Sequence, residues 1–421
     1  MAAYELWKEK LLFFWVLLIS LSSSAGRKIE LEEAKKHLSR FNKTPLKTIK
    51  SPDGDIIDCV PVSQQPAFDH PLLKNHTIQM KPSFHPEGLF DESKVSTSTK
   101  PRRSSKPVTQ LWHLKGECPE GTIPIRRTKR EDVLRASSVQ KFGKKHPGSI
   151  SHTLLSPDDD TDNGKSHQHA IAYVGGADNI YFGAKATINV WKPRIQKASH
   201  EFSLAQFWIL SGSFGQDLNT IEAGWQVNPN LYGDSRTRFF TYWTSDNYQA
   251  TGCYNLLCSG FIQINSKIAL GASIEPISGY GSSQFDISIL VWKDGMNGHW
   301  WMQFGNEVIL GYWPAFIFSH LVKSASMVQW GGEVLNSGGE AGDYTSTQMG
   351  SGHFPDEGYG KASYFKNLLV VDDSNNLIYP KGISPFTDQH NCYDIKLGNG
   401  IDWGFYFYFG GPGAKSSGCP L

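Results

Sequence analysis

Thr220-Ile221-Glu222-Ala223-Gly224-Trp225-Gln226-Val227 and Met327-Val328-Gln329-Trp330-Gly331-Gly332-Glu333-Val334-Leu335 share one pattern: apolar residues alternate with polar ones or glycine. Strand side chains point to opposite faces with a period of two. One face of the first run then carries Thr220, Glu222, Gly224 and Gln226, and the other carries Ile221, Ala223, Trp225 and Val227. In the second run Met327, Gln329, Gly331, Glu333 and Leu335 share a face. Each strand therefore presents a carboxylate and, four residues away, an amide, with only glycine between. Glycine lets another backbone approach closely, so these two faces suit the floor of a groove.

The sequence around the two runs has the same texture. From Ala170 onward, short segments rich in Val, Ile, Tyr, Phe and Trp alternate with Gly, Asn, Asp and Pro, at residues 170–174, 180–191, 203–214, 236–244, 260–264, 285–292, 300–304, 364–371 and 403–409. Many short strands with frequent turn signals predict an all-β fold, a sandwich or a barrel. Lys293-Asp-Gly-Met-Asn-Gly298 between two aromatic runs predicts a hairpin. At 39 % apolar and 13 % aromatic residues, a chain of 421 residues has ample material for a large core.

The N-terminal part reads differently. Lys8 and Lys10 precede an apolar stretch at 11–21 and a run of small residues ending at Ala25, which predicts a cleaved secretory signal peptide over 1–25, too short in its apolar part to span a bilayer. A short charged helix is expected over 31–41. Residues 95–107 read as an exposed loop, and the polar stretch 156–165 as a protease-accessible junction. This divides the chain into a smaller segment of mixed structure at 26–165 and an all-β domain at 166–421. Asn42 and Asn75 open glycosylation sequons.

Charge follows the same division. Residues 26–165 hold 25 Lys+Arg against 18 Asp+Glu, a balance of +7, and residues 166–421 hold 14 against 20, a balance of −6. The two parts should attract one another at neutral pH, and protonating carboxylates should weaken the attraction. A merely solvated basic tail is the alternative. Six cysteines in an oxidising compartment read as disulfides. They can pair in many ways; neighbour pairing, Cys59–Cys118, Cys253–Cys258 and Cys392–Cys419, keeps each bridge within one part.

Several chemistries find no support. The sequence has no Gly-x-Ser-x-Gly elbow, no papain-like cysteine context, no His-Glu-x-x-His and no basic, aromatic-interleaved stripe for nucleic acid. His167 and His169, beside the junction, read as solvated surface, and neither metal nor cofactor is expected. Seven glutamates follow residue 165. Glu201, Glu275, Glu307, Glu340 and Glu357 lie beside turn or loop residues and read as solvated, whereas Glu222 and Glu333 are flanked by apolar residues and glycine. Two adjacent carboxyls cannot both ionise easily, so one can take a proton from water while the other gives one to a leaving group. Gln226 or Gln329 could hold a developing oxyanion. This chemistry serves peptide or glycoside hydrolysis, and a non-catalytic carbohydrate-binding or cell-wall-binding sandwich is the competing reading.

Longer motifs narrow the choice. Glu222-Ala-Gly-Trp-Gln-Val-Asn-Pro-x-Leu-Tyr-Gly-Asp234, Tyr242-Trp-Thr-x-Asp246, Thr251-Gly-Cys-Tyr-Asn-Leu-x-Cys258 and Met349-Gly-Ser-Gly-His-Phe354 resemble the neprosin family of plant glutamic peptidases. Cys118-Pro-x-Gly-Thr-Ile-Pro-Ile-Arg-Arg127 resembles that family's activation peptide. The resemblance implies a secreted zymogen, apoplastic or vacuolar, whose activation segment covers an antiparallel β-sandwich and is removed in acid by self-cleavage. It implies endopeptidase activity after proline, carried by glutamates that match Glu222 and Glu333, and disulfides Cys253–Cys258 and Cys392–Cys419. Expected partners are proline-containing peptides and the chain's own prosegment, on a monomer. Trp225, Tyr242 and Trp243 are candidate apolar walls of the substrate site, with core packing as the other role open to each.

Overall fold

A computed structural model describes residues 35–36, 38–39, 41–88, 108–145, 166–176, 179–196, 200–337 and 344–419. The expected signal peptide, the loop at 95–107, the junction at 156–165 and most of the expected first helix lie outside the described residues, as does Glu340. Among the described residues two large sheets form the core, one of six strands and one of eleven, and all their pairings but one short edge contact are antiparallel.

The six-stranded sheet positions the site. Its strands are β1 (Ser166–Gly175), β2 (Ser203–Ser211), β3 (Asn219–Val227), β4 (Arg238–Thr244), β5 (Met327–Asn336) and β6 (Ser384–Thr387), in the spatial order β4-β3-β2-β5-β1-β6. Both opening runs are therefore strands, separated by β2. One face buries Ala170, Ala172, Ala205, Phe207, Ile209, Ile221, Ala223, Trp225, Phe239, Trp243, Val328 and Trp330 against the eleven-stranded sheet. This apolar layer holds the two sheets together, and burying each large side chain contributes about 1.5–3 kcal/mol. The alternation expected from sequence follows directly, since the opposite face carries Leu204, Trp208, Leu210, Phe240 and Tyr242.

The segment ahead of residue 166 is a small three-stranded sheet (Lys47–Lys50, Ile56–Pro61 and Thr122–Arg126) with short helices. It reaches both outer faces of the sandwich. Val133, Val139 and Phe142 pack on the free face of the six-stranded sheet. Ala67 and Leu73 pack on the outer face of the other sheet, against Leu290, Trp292, Trp301 and Tyr312. Residues 269–272 meet Ile49, Ile57 and Trp112.

The three disulfides join Cys59 to Cys118, Cys253 to Cys258 and Cys392 to Cys419, as neighbour pairing anticipates. The residues 293–298 connect two antiparallel strands in which Lys293 faces Trp300. Of the two sequons, Asn75 is exposed, but the Asn42 side chain is engaged: its amide donates to the Thr128 carbonyl at 2.9 Å and accepts from the Thr128 N–H at 2.9 Å. Glu201 corrects another expectation. It is buried, and Ser337, Thr345 and Thr347 donate to it, so it pins a loop from within.

Candidate active site

Register brings the two glutamates together diagonally across β2. Glu222 faces Trp208, which faces Gln329, while Glu333 faces Leu204, which faces Gln226. The row between them reads Gly224, Gln206, Gly331. A Cβ at Gly224 would lie 2.0 Å from the Ala205 carbonyl oxygen. At Gly331, where φ is +155°, a Cβ would lie 2.3 Å from that of Ala170. Side chains are thus excluded on both sides of Gln206, and the two carboxylates lean into this bare strip from opposite corners.

Lys145 shows how closely they converge. Its ammonium lies 2.5 Å from Glu222 Oε2 and 3.7 Å from Glu333 Oε2. The glutamates are fully buried and the lysine side chain is 2 % exposed. Lys145 is held in place by its own N–H, which donates to the Tyr242 hydroxyl at 3.1 Å, and by the rings of Tyr242 and Tyr254 beside its ammonium. Just before it, Gly143 accepts from the Tyr254 N–H at 2.8 Å. The prosegment thus places a cation between the two carboxylates that sequence selects.

Each carboxylate has its own surroundings. Glu222 accepts from Tyr248 Oη at 2.8 Å, Thr220 Oγ1 at 3.0 Å and Gln206 Nε2 at 2.9 Å. All three of these donors are neutral. Glu333 accepts from His167 Nδ1 at 2.6 Å through Oε1, while Oε2 has no hydrogen-bond partner among the described residues. Burial works to raise the Glu333 carboxyl, but the Lys145 ammonium and then His167 outweigh it and hold it at about 2. Next to them His169 is buried and bonded through Nδ1 to Asp388 at 3.0 Å. Burial opposes its protonation, yet Asp388 and Glu333 draw it above its ordinary range.

The expected site residues divide by face. Gln226, Gln329 and Tyr242 lie on the same face as the glutamates, although Gln226 donates to Tyr232 Oη and Gln329 to the Met327 sulfur. Trp225 and Trp243 belong to the opposite, core face, where the Trp225 indole N–H donates to the Asn189 carbonyl and Trp243 packs edge-on against Phe318. They are not walls of the groove, because strand phase turns odd-numbered residues of β3 and β4 inward. The solvated reading of His167 and His169 is also overturned: the strand starts at Ser166, close enough to the junction for both rings to face Glu333. Sequence reasoning missed Lys145, His167, Tyr248 and Gln206. Of these only Gln206, an amide at the polar phase of an apolar run, carries the signal that marks Glu222.

Gln206 Oε1, Trp208 Nε1, Glu333 Oε2 and His169 Nε2 are buried and lack hydrogen-bond partners among the described residues. Native interiors rarely leave such atoms unpaired, and here four of them collect along one covered groove.

The chain matches the family models Neprosin over residues 199–412 and Neprosin activation peptide over residues 48–173. Two solved structures of scytalido-glutamic peptidase, one bound to a peptide-based transition-state analogue and one to a transition-state analogue inhibitor, overlap it loosely. They show 14 % and 12 % identity, cover 58 % and 59 % of this chain and 97 % and 99 % of theirs, and each has a TM-score of 0.32. The β-porphyranase BpGH16B of Bacteroides plebeius overlaps more weakly, at 7 % identity and a TM-score of 0.20 over 41 % of this chain and 65 % of its own. Overlaps this loose carry no weight for chemistry, whereas the two family matches run through the prosegment and through β2, β3, β4 and β5 of the groove. The chain belongs to the neprosin family of glutamic peptidases, with an activation peptide ahead of its catalytic domain.

Proposed function

We propose that this protein is the zymogen of an acid-active endopeptidase that cuts after proline, with Glu222 and Glu333 as the catalytic pair. The single observation that carries the reading is the Lys145 ammonium seated between both carboxylates in a groove that the prosegment closes. Once Lys145 leaves, two neighbouring carboxyls share a deficit of positive charge, and one of them takes up a proton. The proton is assigned to Glu333, whose Oε2 has no hydrogen-bond partner among the described residues, while Glu222 accepts from three donors.

In the proposed reaction Glu222 takes a proton from a water molecule as its oxygen adds to the substrate carbonyl carbon. Glu333 then gives its proton to the amide nitrogen as the C–N bond breaks. The net result is a proton moved from Glu333 to Glu222, which exchange with solvent reverses after product release. Gln206, between the two, is placed to orient the water. The groove offers aromatic surface for a proline ring in Trp208, Tyr242 and Tyr248, which supports the expected specificity. The leader-like N-terminus and the exposed Asn75 sequon support a secreted glycoprotein.

Acid should open the groove. The pairing with Lys145 depresses the Glu333 carboxyl in the closed state, so its contribution to closure is present above the ordinary carboxyl range and lost as pH falls toward about 2. The test is to acidify the full-length protein, follow its shortening by mass spectrometry, and sequence the products it makes from a protein substrate. Shortening followed by cuts after proline is expected. Cuts without regard to proline would refute the specificity, and no cleavage in any substrate would refute the peptidase.

A further inference from the structure

The turn Ser51-Pro-Asp-Gly-Asp55 inserts two carboxylates from the prosegment into the catalytic domain, against the overall charge pattern. Asp55 Oδ2 lies 2.6 Å from Arg238 Nη1 and Oδ1 lies 3.3 Å from Nη2. Asp53 accepts from the Ser273 hydroxyl beside it. Arg238 is fully buried. Its other donors are fixed from within the catalytic domain: Nη1 also donates to the Gly271 carbonyl at 2.8 Å and Nη2 to Asp234 Oδ2 at 2.6 Å, and the Tyr232 ring lies 4.8 Å from its Cζ. Arg126 of the prosegment donates to Asp55 Oδ1 at 2.9 Å, and when the prosegment leaves both go, while Asp234, Gly271 and Tyr232 stay. The guanidinium remains oriented, and the two-nitrogen edge that held the Asp55 carboxylate loses that partner.

Its position suits a substrate. Arg238 stands in the same cross-strand row as Glu333, three strands away through Gln226 and Leu204. Three strand spacings amount to roughly 14 Å, which an extended peptide spans in about four residues. We propose that Arg238 is a specificity-determining residue that binds an acidic side chain of the substrate about four residues from the scissile bond, and that Asp55 occupies this subsite in the zymogen. The inference rests on the peptidase reading. Asp234 already offsets part of the charge, so recognition comes from the two-nitrogen geometry and the gain is moderate.

The experiment uses acid-activated enzyme and quenched peptides with one central proline. Cysteic acid, which stays ionised in acid, or glutamine is placed three, four or five residues from the proline on either side. The expected result is about a tenfold higher kcat/KM for cysteic acid on one side, expressed in KM and reduced by salt. Arg238→Gln should bring the ratio of the two peptides close to one. The wild-type ratio stands even if that variant does not fold. Equal cleavage of acidic and glutamine peptides at every position would overturn the subsite while leaving the peptidase intact. Cleavage of neither would sink both.

Discussion

The ammonium of Lys145, in the prosegment, lies 2.5 Å from Glu222, so in the proposed zymogen the residue neutralising the proposed catalytic pair is also the one that keeps it from substrate. Taking away one partner of a buried ion pair is costly because the remaining charge is left uncompensated. In Lys145→Met the two carboxylates would be buried together, and docking would weaken at neutral pH. The variant should shorten at a higher pH than wild type, by about a unit or more, as read by gel electrophoresis across a pH series. An unchanged activation profile would remove Lys145 from the account.

The outer face of the sandwich should respond earlier in the pH scale. His76 Nε2 lies 2.8 Å from Tyr312 Oη, and His299 stacks on the same tyrosine at 5.2 Å while accepting from the Ala315 N–H. Burial, then the neighbouring His76 and Lys293, push His299 down to about 4 against a pull from Asp294, and burial alone lowers His76. Both rings are therefore held neutral while residues 76–85 lie on this face. As pH falls below 6.5 the released state gains protons that the docked state refuses, so docking weakens down to about 4 and then levels off. Hydrogen exchange at residues 76–85 should rise between pH 6.5 and 4, before exchange rises around Lys145. Exchange rising first at Lys145 would contradict this order.

Tyr248 and Thr220 both donate to Glu222 Oε1 and so hold the proposed base in place. Tyr248→Phe should lower kcat by roughly tenfold to a hundredfold with KM little changed, since the carboxylate loses a donor that fixes its orientation. A merely structural role would lower the thermal midpoint and leave kcat of the folded enzyme in place.

The bridge between Cys392 and Cys419 closes a separation of 27 residues at the end of the catalytic domain. Replacing both by Ser should cost about 3 kcal/mol, visible as a lower urea midpoint of the full-length protein. A midpoint within error of wild type would show that packing alone holds this terminus.

Strand phase alone placed Glu222 with Gln226, and Glu333 with Gln329, on one face of their respective strands, because period-two alternation against an apolar core is a local property of the sequence; pairing across β2 then sets the two faces side by side. It failed for Trp225 and Trp243 only where aromatic character was weighed above that same phase. The missing residues needed pairing information. Lys145 lies 77 positions from Glu222 and His167 lies 166 from Glu333, and no local pattern encodes which distant strand or segment meets another. The charge split pointed to attraction between the two parts, and Lys145 obeys it; Asp55 on Arg238 reverses it, since net balance says nothing about individual contacts.

The most direct measurement compares kcat/KM on a proline-containing quenched peptide for wild type, Glu222→Gln and Glu333→Gln. Each variant is first shortened in trans by a trace of wild-type enzyme that is then removed, and its fold is checked by thermal unfolding. Removing a positioned acid or base typically costs 10²–10⁴ in rate. Losses of roughly that size, at least a hundredfold, are expected in both variants. Retention of activity within about threefold by either folded variant would contradict the assignment of Glu222 and Glu333 as the catalytic pair.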